Sequence, residues 1–317
     1  MDNLESENAS ERLLLKSRFC ITIENGAIDK KSIDENKRLL KTLSALVKKK
    51  WVFIYIAVAL YIVHFISINV FMYRLIIGKY DTGDYDSDIS GFYNDFTIVM
   101  GILLVCIVIL IGCLIFCKTN YITLRYRLDE TSKQTVDTNN SAFEILSQCK
   151  KLWGVSDYNV GSYSTIHPIR KDAQLQYKSL PWFLKSNIDK CYQLHTRVKN
   201  YYFLPEKILI ESKKGVTSAY YPQIKIKLDK EVIAETGFAP RDAMFYGNTW
   251  EHVNKDGSPD KRVKNNRQIP EYLYGIIHFR GDEETKLDLK LYCSDIRKVA
   301  DAMKILSSTN TYKEEII

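Results

Sequence analysis

The sequence predicts an α-helical transmembrane hairpin joined to an α+β cytoplasmic domain with a mainly antiparallel sheet. Three patterns carry that expectation. The stretches Trp51 to Tyr73 and Phe96 to Cys117 are apolar and free of formal charge, and each exceeds the roughly 18 residues, at about 1.5 Å of rise apiece, that mark a membrane span. Lysine and arginine crowd the outer flanks of this pair rather than its connector. From Tyr201 onward the apolar residues recur with period two, and the separators KKG, KDGSPD and GDEE are turn formers, as half-buried antiparallel strands require.

Taken in order, the polar and acidic start MDNLESENASER lacks the basic-then-apolar order of a cleavable leader, so the first span is expected to act as its own insertion signal. Phe19 to Ile23 reads as a short strand closed by the Asn25-Gly26 turn. Ser32 and Glu35 fit a capping box, and Ile33, Leu39, Leu40, Leu43, Leu46 and Val47 share one helical face. This basic amphipathic helix either lies on the inner leaflet or packs on the cytoplasmic domain.

The spans are read as helices because a backbone in lipid must satisfy its own hydrogen bonds, even where Ile, Val and Phe would suit a strand in water. Lys37, Arg38, Lys41, Lys48, Lys49 and Lys50 precede them, and Lys118, Arg125, Arg127 and Lys133 follow. The connector holds Arg74 and Lys79 beside Asp81, Asp84, Asp86, Asp88 and Asp95. This bias places both termini in the cytoplasm and the acidic turn outside a cell inner membrane crossed twice. Trp51, Tyr55, Tyr73, Tyr93 and Tyr121 fall near the interfaces, where amphipathic rings set the depth of insertion.

Within the first span His64, Ser67 and Asn69 are polar. His64 is either a neutral imidazole bonded to a neighbouring helix or part of a pore lining or oligomer contact. In the second span Thr97, Gly101, Val105, Val108 and Gly112 recur on one face, and small side chains there let helix backbones approach closely. That face is the expected helix contact, within the hairpin or between copies, so self-association is expected beside contact with the lipid bilayer.

Beyond the second span, Tyr121 to Arg127 alternates and is either a strand or more helix. Ser141 and Glu144 fit a second capping box, opening a helix with Ala142, Ile145, Leu146, Cys149 and Trp153 on its apolar face and Gly154 at its end. Residues 156–187 are turn-rich and yield no assignment. Strands are expected over Tyr201 to Glu211, Ala219 to Leu228, Phe245 to Val253, Tyr272 to Arg280 and Lys286 to Tyr292. Ser294 then caps a final helix with Ile296, Val299, Met303 and Leu306 inward. The chain thus divides into a segment 1–50, a hairpin 51–117 and a domain 118–317.

The whole chain carries a formal +7, and residues 118–317, with 32 basic and 25 acidic side chains, carry the same surplus. Such a balance weakly favours an anionic membrane surface or a nucleic-acid partner. Seven cysteines without a CxxC pair point to reduced thiols and no zinc framework. The most unusual polar stretch is Thr249 to Pro270, where Lys255, Lys261, Arg262, Lys264 and Arg267 stand beside Asn254, Asn265, Asn266 and Gln268. It either binds a phosphate-bearing or acidic partner or is a solvated hairpin tip. Enzymatic readings are weak. Pro259-Asp260 with Asp288-x-Lys290 mimics a metal-dependent nuclease, yet Asp288 and Lys290 alternate with Leu287, Leu289 and Leu291 as a wet strand face does. Cys191 and His195 would meet only on a helix. No phosphate-cradling glycine loop, metal cluster or cofactor motif is present, so a non-enzyme is expected.

The strand YYFLPEKILI at Tyr201 to Ile210 and the block TWEHVNKDGSPDKRVKNNRQIPEYLYG at Thr249 to Gly275 resemble a domain of uncharacterised bacterial proteins to which no activity is attached. The layout of a two-span hairpin with a cytoplasmic domain is similar to bacterial anti-phage membrane effectors, the nearest type being the two-transmembrane effector of a retron system. That resemblance implies abortive infection by membrane disruption and a reverse transcriptase with its RNA and DNA product as partner. The alternative is a two-span receptor for a small anionic messenger such as a cyclic nucleotide.

Overall fold

The structure, a computed structural model, describes residues 20–24, 30–76, 85–155, 170–254, 257–282, 285, 287–308 and 313–314. A short strand β1 (Cys20–Glu24) precedes helix α1 (Lys30–Ile76) and helix α2 (Tyr85–Thr119). Strand β2 (Ile122–Arg127) and helix α3 (Glu130–Ser147) follow, then strands β3 (Leu152–Val155), β4 (Lys171–Ser179), β5 (Leu184–Ser186), β6 (Lys190–His195), β7 (Lys199–Phe203), β8 (Lys207–Ser212) and β9 (Gly215–Tyr220). After a single 3-10 turn come β10 (Lys225–Ala234), β11 (Met244–Trp250), β12 (Gln268–Arg280), β13 (Asp288–Cys293), helix α4 (Ile296–Ser308) and β14 (Lys313–Glu314).

The expected fold class stands: two long apolar helices and then an α+β domain on a mainly antiparallel sheet. Eleven strands form that sheet, in the order β14-β10-β12-β13-β3-β4-β6-β7-β8-β9 with β11 also paired to β12. β12 is its longest strand. It pairs with β10 from Lys225↔Arg280 to Ala234↔Glu271, while β13 takes its C-terminal half and β11 its N-terminal half. A second, three-stranded sheet is parallel throughout, with β2 between β1 and β5.

Alternation along the strands divides the interior. Ile208, Ile210, Ile277, Phe279, Leu289 and Leu291 face α3 and α4, whose Phe143, Leu146, Val299 and Leu306 complete the largest core. On the opposite face Tyr202, Leu209 and Val216 pack against Ile122, Leu124 and Tyr126 of the small sheet and against Leu39, Leu43 and Val47 of α1. A third cluster, Trp153, Ile233, Tyr274, Ile276 and Tyr292, occupies that same opposite side at the other end of the large sheet.

α1 is one helix of 47 residues, which at about 1.5 Å per residue spans roughly 70 Å. Of the two arrangements expected for its amphipathic start, the structure takes packing on the domain: Leu43 and Val47 are fully buried. Its second half and α2 are long and apolar enough to cross a membrane. Their apolar side chains are largely exposed, including Tyr61, Phe65, Leu104 and Leu114, unlike those of a buried core helix.

Several local expectations are corrected. α3 starts at Glu130, where the Asp129 carboxylate accepts from Ser132 N at 2.8 Å, and Ser141 lies mid-helix with its hydroxyl donating to Asp137 O. A serine that back-bonds inside a helix mimics a cap in sequence. Trp153 and Gly154 belong to β3, not to the helix, because α3 has already ended at Ser147. Tyr201 to Glu211 is two strands turned at residues 204–206, and Ala219 to Leu228 is broken by the Tyr221–Gln223 turn. Tyr121 to Arg127 holds a strand, and the unassigned 156–187 contains β4 and β5. Of the expected outer turn, Arg74 lies in α1 and Asp86, Asp88 and Asp95 lie in α2, so the apolar helices extend into it, while Lys79, Asp81 and Asp84 lie outside the described residues.

Candidate functional site

The large sheet ends at β9, and an edge strand presents unpaired backbone groups. α1 covers that edge. The Ser44 hydroxyl donates to Val216 O at 3.1 Å and accepts from Val216 N at 2.9 Å, so one side chain satisfies both groups of one edge residue. Gly215 sits at φ 137°, and a Cβ there would lie 2.8 Å from the Ser44 hydroxyl oxygen. Glycine is therefore required twice at this position, by backbone conformation and by the approach of the helix.

About two turns earlier on α1, Asn36 accepts from the Lys207 ammonium at 2.9 Å and donates to Ser218 at 3.2 Å. Lys207 is 2% exposed and pairs with Glu206 at 3.3 Å, and Tyr126 of the small sheet donates to the same carboxylate. Burial, with Glu206 beside it, pushes the Tyr126 phenol well above its ordinary range. A buried charge pair adds little net stability, but it fixes which groups meet. The outer end of the joint is aromatic: Lys213 lies 5.1 Å from the Trp51 ring, and Lys50 5.3 Å from that of Trp182. α2 reaches β2 within a few residues, so both apolar helices are wired directly to the domain.

Between α1 and α2 runs a seam of aromatic and polar contacts. Phe53 meets Phe116 at one end, Phe71 meets Phe92 and Phe96 at the other, and Arg74 forms an ion pair with Asp95. Arg74 thus belongs to the last turn of α1 and is compensated across the hairpin. His64 lies on this seam with its Nδ1 buried and unbonded among the described residues. Asn69 instead bonds back to Phe65 O.

Thr97, Gly101, Val105 and Gly112 are exposed on the opposite side of α2, and nothing lies within 4 Å of a Cβ built on either glycine. Val108 is exposed beside them. Among the described residues, nothing packs against the two glycines of this face. The seam itself is made by Val99, Phe92 and Asp95, residues that the small-residue pattern passed over.

The basic stretch is the turn joining β11 and β12. Arg262 chelates Asp260 through Nε and Nη2 at 2.7–3.2 Å, and Arg267 pairs with Glu251 at 2.7 Å. The hydrogen bonds from Arg262 hold the Asp260 carboxyl at about 2. Asn266 brackets the hairpin neck by accepting from His252 N and donating to His252 O, while Asn254 ties Ser258. Two arginines and two amides therefore hold the loop's shape. Lys261 and Lys264 are exposed, with no ion pair described, and Lys255 lies outside the described residues. The sequence signalled the charge but not this internal pairing.

The structure also separates the weaker chemical candidates. Cys191 and His195 are in strand β6, not on a helix, and four residues of strand set them about 13 Å apart. Burial raises the Cys191 thiol to about 12, and His195 bonds Asn200. Asp288 is engaged by His278, and no cluster of three metal-ligating side chains occurs among the described residues. Comparison with family models, curated proteins and solved structures finds no match. The functional reading therefore rests on the joint, the hairpin and the loop.

Proposed function

We propose that this chain is a membrane effector of bacterial antiviral defence. α1 and α2 cross the cell inner membrane with both termini cytoplasmic, and the α+β domain holds them until a trigger or a lost partner releases them. Association of hairpins through the face of Gly101 and Gly112 then compromises the membrane and kills the infected cell. The observation that carries this reading is the unbroken α1, anchored at one end to the β9 edge and continuing into the apolar hairpin. Rigid continuity lets a change in the domain reach the bilayer without a flexible linker to absorb it. The proposed partner is a reverse transcriptase with its RNA and DNA product, for which the exposed Lys261 and Lys264 supply phosphate contacts.

The test is to express the full chain alone in bacteria and follow membrane potential. The expected result is depolarisation and growth arrest, relieved by the partner genes. Healthy growth with abundant inserted protein, together with stabilisation of the detergent-purified chain by a cyclic nucleotide, would instead establish the messenger-receptor reading.

A further inference from the structure

Beside the domain end of α2, strand β2, strand β5 and the loops before and after β5 line an open cavity of about 390 Å³, within the roughly 300–1,000 Å³ of small-ligand sites. Two polar atoms of its lining residues are buried and have no hydrogen-bond partner among the described residues. They are the hydroxyl oxygen of Thr123, a residue only 1% exposed, and the indole nitrogen of Trp182. A buried polar group left unpaired costs about 1–3 kcal/mol. The indole can only donate, so its missing partner is an acceptor, and the hydroxyl is able to donate to the same group. Lys185 adds positive charge to the wall, its ammonium 3.9 Å from the centre of the Tyr121 ring. Asp189, exposed, is the opposing carboxylate.

The remaining wall includes Leu180, Pro181, Leu184 and Ile188, so the site is half apolar. Its location is equally specific. The Trp182 ring lies 6.3 Å from Phe116 in the last apolar turns of α2, and Lys50 at the start of the first apolar stretch lies over the same ring. A bilayer crossed by α1 and α2 brings its headgroups to this level, where aromatic and basic side chains concentrate.

We propose that this cavity seats the phosphate of a membrane phospholipid, with Trp182 and Thr123 donating to phosphate oxygens, Lys185 balancing the charge, and the glycerol end lying against Leu184 and Ile188. The proposal rests on the reading that the two helices cross a bilayer. Inorganic phosphate offers the same acceptors, but it leaves the apolar half of the wall unmatched.

The experiment uses the full chain extracted from carbonate-washed membranes in mild detergent, with native mass spectrometry counting retained short-chain phosphatidylglycerol. The expected result is one lipid per chain, and affinity about tenfold weaker in Trp182→Phe and in Thr123→Val, the scale of one lost hydrogen bond. Thr123→Val keeps the shape of the side chain while Trp182→Phe keeps an aromatic ring without the N–H, and each checks the other if one fails to fold. Equal binding by wild type and a folded variant overturns the site. So does displacement of the lipid by an equal concentration of inorganic phosphate. A chain that stays in the membrane yet retains no lipid loses this site alone, whereas a chain washed into the soluble fraction also loses the membrane reading beneath it.

Discussion

Ser44 and Gly215 concentrate the argument in two side chains. Because Ser44 satisfies both Val216 N and Val216 O, Ser44→Ala strands two part-buried backbone groups and should cost about 1–3 kcal/mol. Thermal unfolding of the detergent-purified chain measures it, and Thr42→Ala, where the exposed hydroxyl only back-bonds to Arg38 O, should change little. Gly215→Ala should be at least as damaging, since it adds a backbone penalty to a clash with Ser44. In the basic turn the sign of the pH dependence is fixed by Asp260. Its folded value of about 2 is depressed by the hydrogen bonds from Arg262, so its contribution is complete above an unfolded carboxyl value of about 4 and is lost as the pH falls through 2. Carboxyl titration by NMR should show Asp260 titrating near 2, and in Arg262→Ala nearer its ordinary value. An unchanged value in the variant would mean that the chelate does not set it.

The elements show what sequence periodicity resolves. α1, α2, α4 and strands β11, β12 and β13 were legible, because apolar spacing reports which face is buried, whereas β3, β4, β6 and β14 were not. α3 was half missed: its first turns, ETSKQTVDTNN, carry little apolar signal, and Ser141 offered a false cap in the middle. The strand start at Tyr201 was legible, but the turn at Leu204 to Glu206 was not, since Pro205 is flanked by residues that themselves enter the core or its buried ion pair. Of the joint, only Leu39, Leu43 and Val47 showed in advance. Ser44, Asn36 and Lys207 are polar residues made structural by partners some 170 positions away. For the hairpin, the small residues mark a face of α2 that lies away from the α1 seam. With open space at Gly101 and Gly112, Gly101→Leu and Gly112→Leu should each insert and unfold like wild type. A clear loss of thermal stability in the monomeric hairpin would place those glycines in the seam instead.

At the scale of the whole molecule, one sheet carries helices α3 and α4 on one face and the base of α1 on the other. In the proposed function a shift of β9 moves α1 with it, and the apolar hairpin beyond. The seam is closed by aromatic contacts and by Arg74 with Asp95, which favours motion of the hairpin as a unit. The outward small-residue face is, in the proposed function, the surface through which units meet, since small side chains let helix backbones approach closely in lipid. Membrane depolarisation by matched, inserted amounts of wild type, Gly112→Leu and Val108→Leu tests this most directly. Wild type should depolarise the membrane rapidly, Gly112→Leu should lose nearly all of that activity, and Val108→Leu, where a branched side chain already stands, should show a milder defect. Full depolarisation by an inserted Gly112→Leu protein would contradict this role for the face.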